Sequence, residues 1–206
     1  MSVALEAVVV RKLGRAEYVA TWQAMRDFTR ARDEATADEL WLVEHPPVYT
    51  LGQGADPRFG PGDASPIPVV QSDRGGEITY HGPGQAVVYT LIDLGRRGVR
   101  VKRFVSLLEG AVLDLLGGRG ERRPGAPGVY VDGAKIAALG IRVARGRAYH
   151  GVALNVDMDL SPFHAIAPCG YPGLAVTHMR SLGVREPADE LGARLAQRIM
   201  ARLEHA

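Results

Sequence analysis

The feature that most constrains this chain is a repeated change of hydrophobic period. From residue 17 the apolar side chains Tyr18, Trp22, Met25 and Phe28 recur at helical spacing, with Arg26, Asp27 and Arg30 turned away. The same spacing returns in Val101, Phe104, Leu108, Val112 and Leu115, stopped by Gly117 and Gly118. It returns again in Leu191, Leu195, Ile199 and Leu203, after a start at Pro187. Short apolar runs at residues 8–10, 40–44, 85–93, 136–144 and 147–155 read as strands, the last two joined at Arg145 and Gly146 as a hairpin. Residues 52–68, 120–128 and 157–178 are broken by Gly and Pro and read as loops. Strands and helices do not alternate strictly, so the pattern predicts an α+β fold, a sheet with helices on one side, over a doubly wound one.

Length and composition then narrow the class. A chain of 206 residues fits one domain spanning residues 1–206. With 46% hydrophobic and 23% charged residues it has enough apolar material for a core. No stretch approaches the ~20 apolar residues of a membrane span. The apolar run at the N-terminus is followed by Arg11 and Lys12 without a small-residue cleavage site, and reads as a first strand and not a signal peptide. A single cysteine forms no internal disulfide, which suits a reducing cytoplasm. The net charge of +2 makes no case for nucleic acid. One cysteine and scattered histidines lack paired ligand spacing, so no metal site is expected.

Three segments hold more glycine and polar chemistry than packing requires. In residues 74–85, RGGEITYHGPGQ, Gly75 and Gly76 let the backbone approach a ligand, but the spacing matches neither a P-loop nor a dinucleotide fingerprint. The same segment serves equally as a bend between strands, and His81 orients a loop as easily as it moves a proton. In residues 133–142 Lys135 lies among Ala134, Ile136 and Ala137. Such a lysine either snorkels to solvent or sits in an apolar cleft where desolvation lowers its pKa. In residues 167–173 Cys169 stands between Pro168 and Gly170 with no apolar period to bury it, which suits an accessible nucleophile. His150 and His178 flank that segment, so a Cys–His pairing stays open.

Taken in series, EHPPVYTLGQ at 44–53, RGGEITYHGPGQ at 74–85, GAKIAALGIRV at 133–143, HGVALNV at 150–156 and PCG at 168–170 resemble the lipoyl(octanoyl) transferase family over nearly the whole chain. Thr177-His178-Met179 departs from the family's pattern, which has a smaller residue after the threonine. The resemblance implies a biotin/lipoate protein ligase-like fold, with a mixed sheet and helices packed mainly on one side. It implies a nucleophile at Cys169 and an activating lysine at Lys135. It places an acyl-binding tunnel on Arg74, Gly75, Gly76, Glu77, Ile78, Thr79, Tyr80 and His81, on Ala138, Leu139 and Gly140, and on Gly151, Val152 and Ala153.

The implied reaction moves an octanoyl group from octanoyl-acyl carrier protein, through a thioester on Cys169, to a lysine of a lipoyl domain, without ATP or any cofactor, in the cytoplasm. The implied acceptors are the lipoyl domains of 2-oxoacid dehydrogenases and the glycine cleavage H protein, with no nucleic acid or membrane as partner. Two rivals are an ATP-dependent lipoate or octanoate ligase of the same fold and a non-catalytic acyl-binding module. The cysteine loop speaks against the first, and a covalent adduct would exclude the second.

Overall fold

A computed structural model of the chain describes residues 7–62, 64–166 and 173–206. Its frame is a seven-stranded sheet in the order β1-β2-β6-β10-β9-β8-β7. The strands are β1 (Val9–Arg15), β2 (Glu39–Glu44), β6 (Gln85–Asp93), β7 (Glu121–Arg123), β8 (Ala126–Val131), β9 (Ala134–Ala144) and β10 (Arg147–Asn155). β1 runs parallel to β2 and every other pairing is antiparallel, so the sheet is mixed. A second sheet, in the order β4-β3-β5, is built from β3 (Val48–Leu51), β4 (Val69–Gln71) and β5 (Ile78–His81).

β6 explains how the layers assemble. Its apolar run is continuous because both faces are covered. Ala86, Val88 and Ile92 join one buried cluster, whereas Val87, Tyr89 and Leu91 join another. The first cluster is closed by the helices α3 (Val101–Leu116) and α4 (Ala188–Glu204), through Phe104, Leu108, Val112, Leu116, Leu191, Leu195 and Ile199. Each such side chain contributes roughly 1.5–3 kcal/mol by leaving water. α3 ends at Gly117, whose φ of +59° is the left-handed turn a glycine supplies. The opposite face takes α1 (Tyr18–Ala31) through Trp22, Met25 and Phe28, so two of the three long helices share one side.

Several segments are more ordered than their sequence suggests. β1 extends well past residue 10, and β3, β4 and β5 form the second sheet from residues that show no clear period. Residues 120–128, expected to be a loop, hold β7 and the start of β8, paired antiparallel through Glu121↔Tyr130 and Arg123↔Ala126. A short helix, α2 (Leu94–Arg97), follows β6 directly and is capped by Asp93, whose side chain accepts from the Arg96 amide at 2.9 Å.

Arginine is not confined to the surface. Arg32 and Asp38 have fully buried side chains and pair at 2.6 Å, while Arg96 and Arg97 approach the same carboxylate at 2.9 and 2.5 Å. The Asp93 amide also donates to Asp38 at 2.8 Å. Burial alone would raise the Asp38 pKa, but the hydrogen bonds from Asp93, Arg32 and Arg97 outweigh it and hold the carboxyl below its ordinary range. This node ties the segments entering β2 and leaving β6 together.

Candidate active site

A cleft of about 480 Å³ lies between the small sheet and strands β6, β10 and β9. Its floor is made of residues with little or no side chain: Ala138 and Gly140 on β9, Gly151 and Ala153 on β10. Those strands pair as Gly151↔Gly140 and Ala153↔Ala138, which sets the small residues side by side. The loop at 74–76 crosses above them. The Gly75 amide donates to the Ile141 carbonyl at 3.0 Å, and a Cβ at position 140 would lie 2.7 Å from the Gly75 carbonyl oxygen. Only glycine at 140 lets the loop rest directly on the strand.

Of the tunnel residues expected from the sequence, all except Tyr80 line this cleft. Tyr80 packs instead with Tyr49 and Phe163, at ring separations of 5.5 Å for each. The two-residue period sets Ile78 and Tyr80 on the side of β5 opposite Thr79 and His81, where both join a buried cluster with Leu51; Ile78 also reaches the cleft from that side and Tyr80 does not. Arg74 is buried, and its guanidinium donates to the Thr50 hydroxyl and carbonyl and to the Gly75 carbonyl.

Lys135 lies at one end of the cleft, buried, with its Nζ 5.4 Å from the centre of the Tyr130 ring. Its aliphatic stem crosses Gly128, where a Cβ would collide with Lys135 Cε and with the Ala137 carbonyl. The Lys135 amide donates to Ala175 O at 2.8 Å, and the Thr177 amide donates to Lys135 O at 3.0 Å. The chain leaving residues 167–172 is thereby stitched to the lysine. Cys169 lies outside the described residues. Phe163 before that segment and Val176 after it both line the cleft.

The polar groups around the cleft form two networks. In one, His81 Nδ1 meets Gln85 Oε1 at 2.7 Å, Gln85 Nε2 donates to Asn155 Oδ1 at 3.0 Å, and Asn155 Nδ2 donates to Thr177 O at 3.0 Å. His81 also stacks on Tyr18 and meets His45 edge-on. Burial pushes His81 down to about 3 and His45 down to about 4, so both are neutral at physiological pH. In the other, Asp73 accepts from His150 Nε2 at 2.8 Å, from Trp22 Nε1 at 2.7 Å and from the Tyr149 hydroxyl. Burial raises the Asp73 pKa, yet these bonds win and hold it well below the usual carboxylate range. Burial and the Asp73 contact drive Tyr149 up to about 12. Asp73, His45, Tyr18 and Asn155 were not expected at the site from sequence, although His45 and Asn155 lie within the family-like stretches 44–53 and 150–156, Tyr18 lies on the apolar face of α1 and Asp73 stands beside Arg74.

Residues 17–199 match the family model described as the lipoyl protein ligase A/B catalytic domain. The chain belongs to that family. It is 62% identical over 187 residues to the octanoyltransferase of Thiobacillus denitrificans, covering 89% of this chain and 85% of that protein. It is 57% identical to the octanoyltransferase of Methylococcus capsulatus over 96% of each. Among solved structures, the bipartite lipoate protein ligase of Thermoplasma acidophilum superposes with a TM-score of 0.71 at 16% identity, over 96% of this chain and 85% of that one. The biotin protein ligase of Aquifex aeolicus gives 0.53 at 10% identity, over 98% and 71%. These structural likenesses bear on the fold, which is the mixed-sheet α+β architecture of lipoate and biotin ligases.

Proposed function

We propose that this protein transfers an octanoyl group from octanoyl-acyl carrier protein, through a thioester on Cys169, to a lysine of a lipoyl domain. The observation that carries the reading is the cleft itself. It offers a floor of small residues for an alkyl chain, a buried lysine at one end, and on its lining Phe163 and Val176 from either side of the cysteine segment. An eight-carbon tail buried there gains roughly 5–6 kcal/mol at about 0.8 kcal/mol per methylene, before ordering costs.

In the first half-reaction the Cys169 thiolate attacks the donor thioester, and the carrier's thiolate leaves and takes up a proton. In the second, a neutral lysine of the acceptor attacks the new thioester. Cys169 thiolate departs, the ammonium intermediate loses a proton, and an amide remains. Lys135 takes and returns these protons, and the residues of Arg74–His81 other than Tyr80, with the small residues of β9 and β10, hold the tail. Thioester to thioester is nearly isoenergetic and thioester to amide runs downhill, so neither nucleotide nor cofactor is required. The cytoplasm, where the carrier protein is found, is the compartment that fits, and no helix among the described residues is long and apolar enough to cross a membrane. The fold shared with a lipoate-protein ligase solved with ATP supports an ATP-dependent second reading.

One experiment separates them. Pure protein incubated with octanoyl-acyl carrier protein and no ATP is expected to gain one octanoyl increment by intact mass, removable by hydroxylamine. Cys169→Ala should gain none and lose transfer to an added lipoyl domain. Full transfer by that variant would exclude the thioester route, and strict dependence on ATP would establish the ligase.

A further inference from the structure

A line of buried polar side chains runs from the loop over the cleft to the chain beside Lys135. The Arg74 guanidinium donates to the Thr50 hydroxyl at 3.0 and 2.8 Å, and that hydroxyl lies 3.4 Å from His81 Nε2. His81 Nδ1 meets Gln85 Oε1 at 2.7 Å, Gln85 Nε2 donates to Asn155 Oδ1 at 3.0 Å, and Asn155 Nδ2 donates to Thr177 O at 3.0 Å. None of these side-chain partners belongs to a residue more than 7% exposed, so each bond forms away from water.

Both ends force the direction of this line, because a guanidinium only donates and a peptide carbonyl only accepts. Thr177 O draws the Asn155 amide nitrogen toward itself and leaves Oδ1 for Gln85. Gln85 has to donate there, as it does to Tyr80 O at 3.2 Å, and its Oε1 is left for His81. His81 then donates from Nδ1 and accepts at Nε2, and the Thr50 hydroxyl, whose oxygen accepts from Arg74, turns its hydrogen to that nitrogen. Each amide and ring therefore has one orientation.

The line ends at a splice in the sheet. β10 pairs with β9 as far as Leu154↔Ala137, and Val176 takes up the pairing at Lys135. The Lys135 amide donates to Ala175 O, and the Thr177 amide donates to Lys135 O. Asn155 is the last residue of β10, and its side chain joins that strand to the 175–177 segment. The segment is the chain that returns from Cys169.

We propose that Asn155 is a positioning residue for acyl transfer: the N–H it gives to Thr177 O holds the 175–177 segment beside Lys135, and so sets the lysine against the chain that carries Cys169. The bonds that begin at Arg74 keep that N–H aimed at the carbonyl. The proposal rests on the octanoyl-transfer reading. Octanoylation and turnover of the wild-type protein test that reading by themselves, and variants at Asn155 test the positioning.

The measurements are kcat and KM with octanoyl-acyl carrier protein and a lipoyl domain, and the rate at which iodoacetamide alkylates Cys169. Asn155→Ala removes the donor to Thr177 O without adding charge. It should lower kcat about 10- to 100-fold, the cost of misplacing a reacting group by about 1 Å. KM for the donor should stay within about threefold, because the residues that hold the tail are untouched. Alkylation should slow as well, since the lysine that favours the thiolate has shifted. Counting kcat per alkylatable Cys169 removes any contribution from misfolded protein. Transfer within about threefold of wild type overturns the proposal. So does a rise in KM that accounts for the whole loss, which would make Asn155 a substrate-binding group. A lower kcat with unchanged alkylation overturns it too, by placing Asn155 at the reacting atoms. If Asn155→Ala does not fold, Asn155→Leu, neutral and of similar volume, decides by the same readings.

Discussion

Two jobs for the Lys135 amine can be separated by a single substitution. If it supplies only positive charge to favour the Cys169 thiolate, an arginine of similar reach replaces it in part. If it also takes and returns protons, arginine fails, because a guanidinium does not deprotonate at any workable pH. The proposed second half-reaction requires proton removal from the acceptor amine, so the second role is expected. Lys135→Arg should keep pH-dependent alkylation of Cys169 and lose transfer by about 10²–10⁴-fold. Near-normal transfer would leave a purely electrostatic role. A Cβ at Gly128 would collide with the lysine stem, so glycine at that position of β8 leaves room for the Lys135 side chain, while Tyr130 is its register partner. The lysine itself was conspicuous in the sequence as a cation in an apolar run. Gly128, Tyr130 and the 175–177 segment that fix it were not, because their contacts arise only when β8, β9 and the returning chain are laid side by side.

At the scale of elements, the Asp38 node joins the end of α1, the start of β2 and α2 through three guanidinium groups. Removing its charge leaves Arg32, whose side chain is fully buried, without that carboxylate. Asp38→Asn is expected to destabilise the protein by about 3–5 kcal/mol, the usual result of breaking a buried pair from one side. The check is the urea midpoint at unchanged slope, and a loss under about 1 kcal/mol would mean that water enters the node. Its sequence signature is slight: an aspartate ahead of a buried strand, and arginines in an arginine-rich chain. Arg32, buried like Arg74, has no local mark for that reason.

For the whole molecule, the three buried histidines couple folding to pH. His45 and His81 are depressed to about 4 and about 3, and His150 is also lowered, in each case chiefly by burial. The folded protein keeps them neutral where the unfolded chain, with pKa values near 6.5, binds protons. Stability from these groups is complete above about pH 6.5 and is lost as pH falls toward 4. His45 alone accounts for a loss on the order of 3 kcal/mol across that window. Unfolding free energies from urea titrations at pH 4.5, 5.5 and 6.5 should fall with acidity, and His45→Gln should flatten the slope by up to about 1.4 kcal/mol per pH unit. Equal slopes in the two proteins would mean that His45 is protonated in the fold.

The sequence by itself determined α1, α3 and α4, the strand at residues 85–93 and the hairpin at Arg145 and Gly146, because each buries a face whose period is written into consecutive residues. It also marked Lys135 and most of the residues that line the cleft, since glycines in series and a lysine within an apolar run depart from what packing needs. The tertiary structure decided the rest. β3, β4 and β5 are short and interrupted by turns, so they become strands only through their pairing with one another. Tyr80 leaves the cleft because its ring packs against Tyr49 and Phe163, which only the tertiary structure brings to it. Asp73, Tyr149 and His150 meet across more than seventy residues of chain, and His81 meets Tyr18 across more than sixty. A local pattern records which side of an element is buried. It carries no information about which distant element comes to cover that side, and the cleft is made of such meetings.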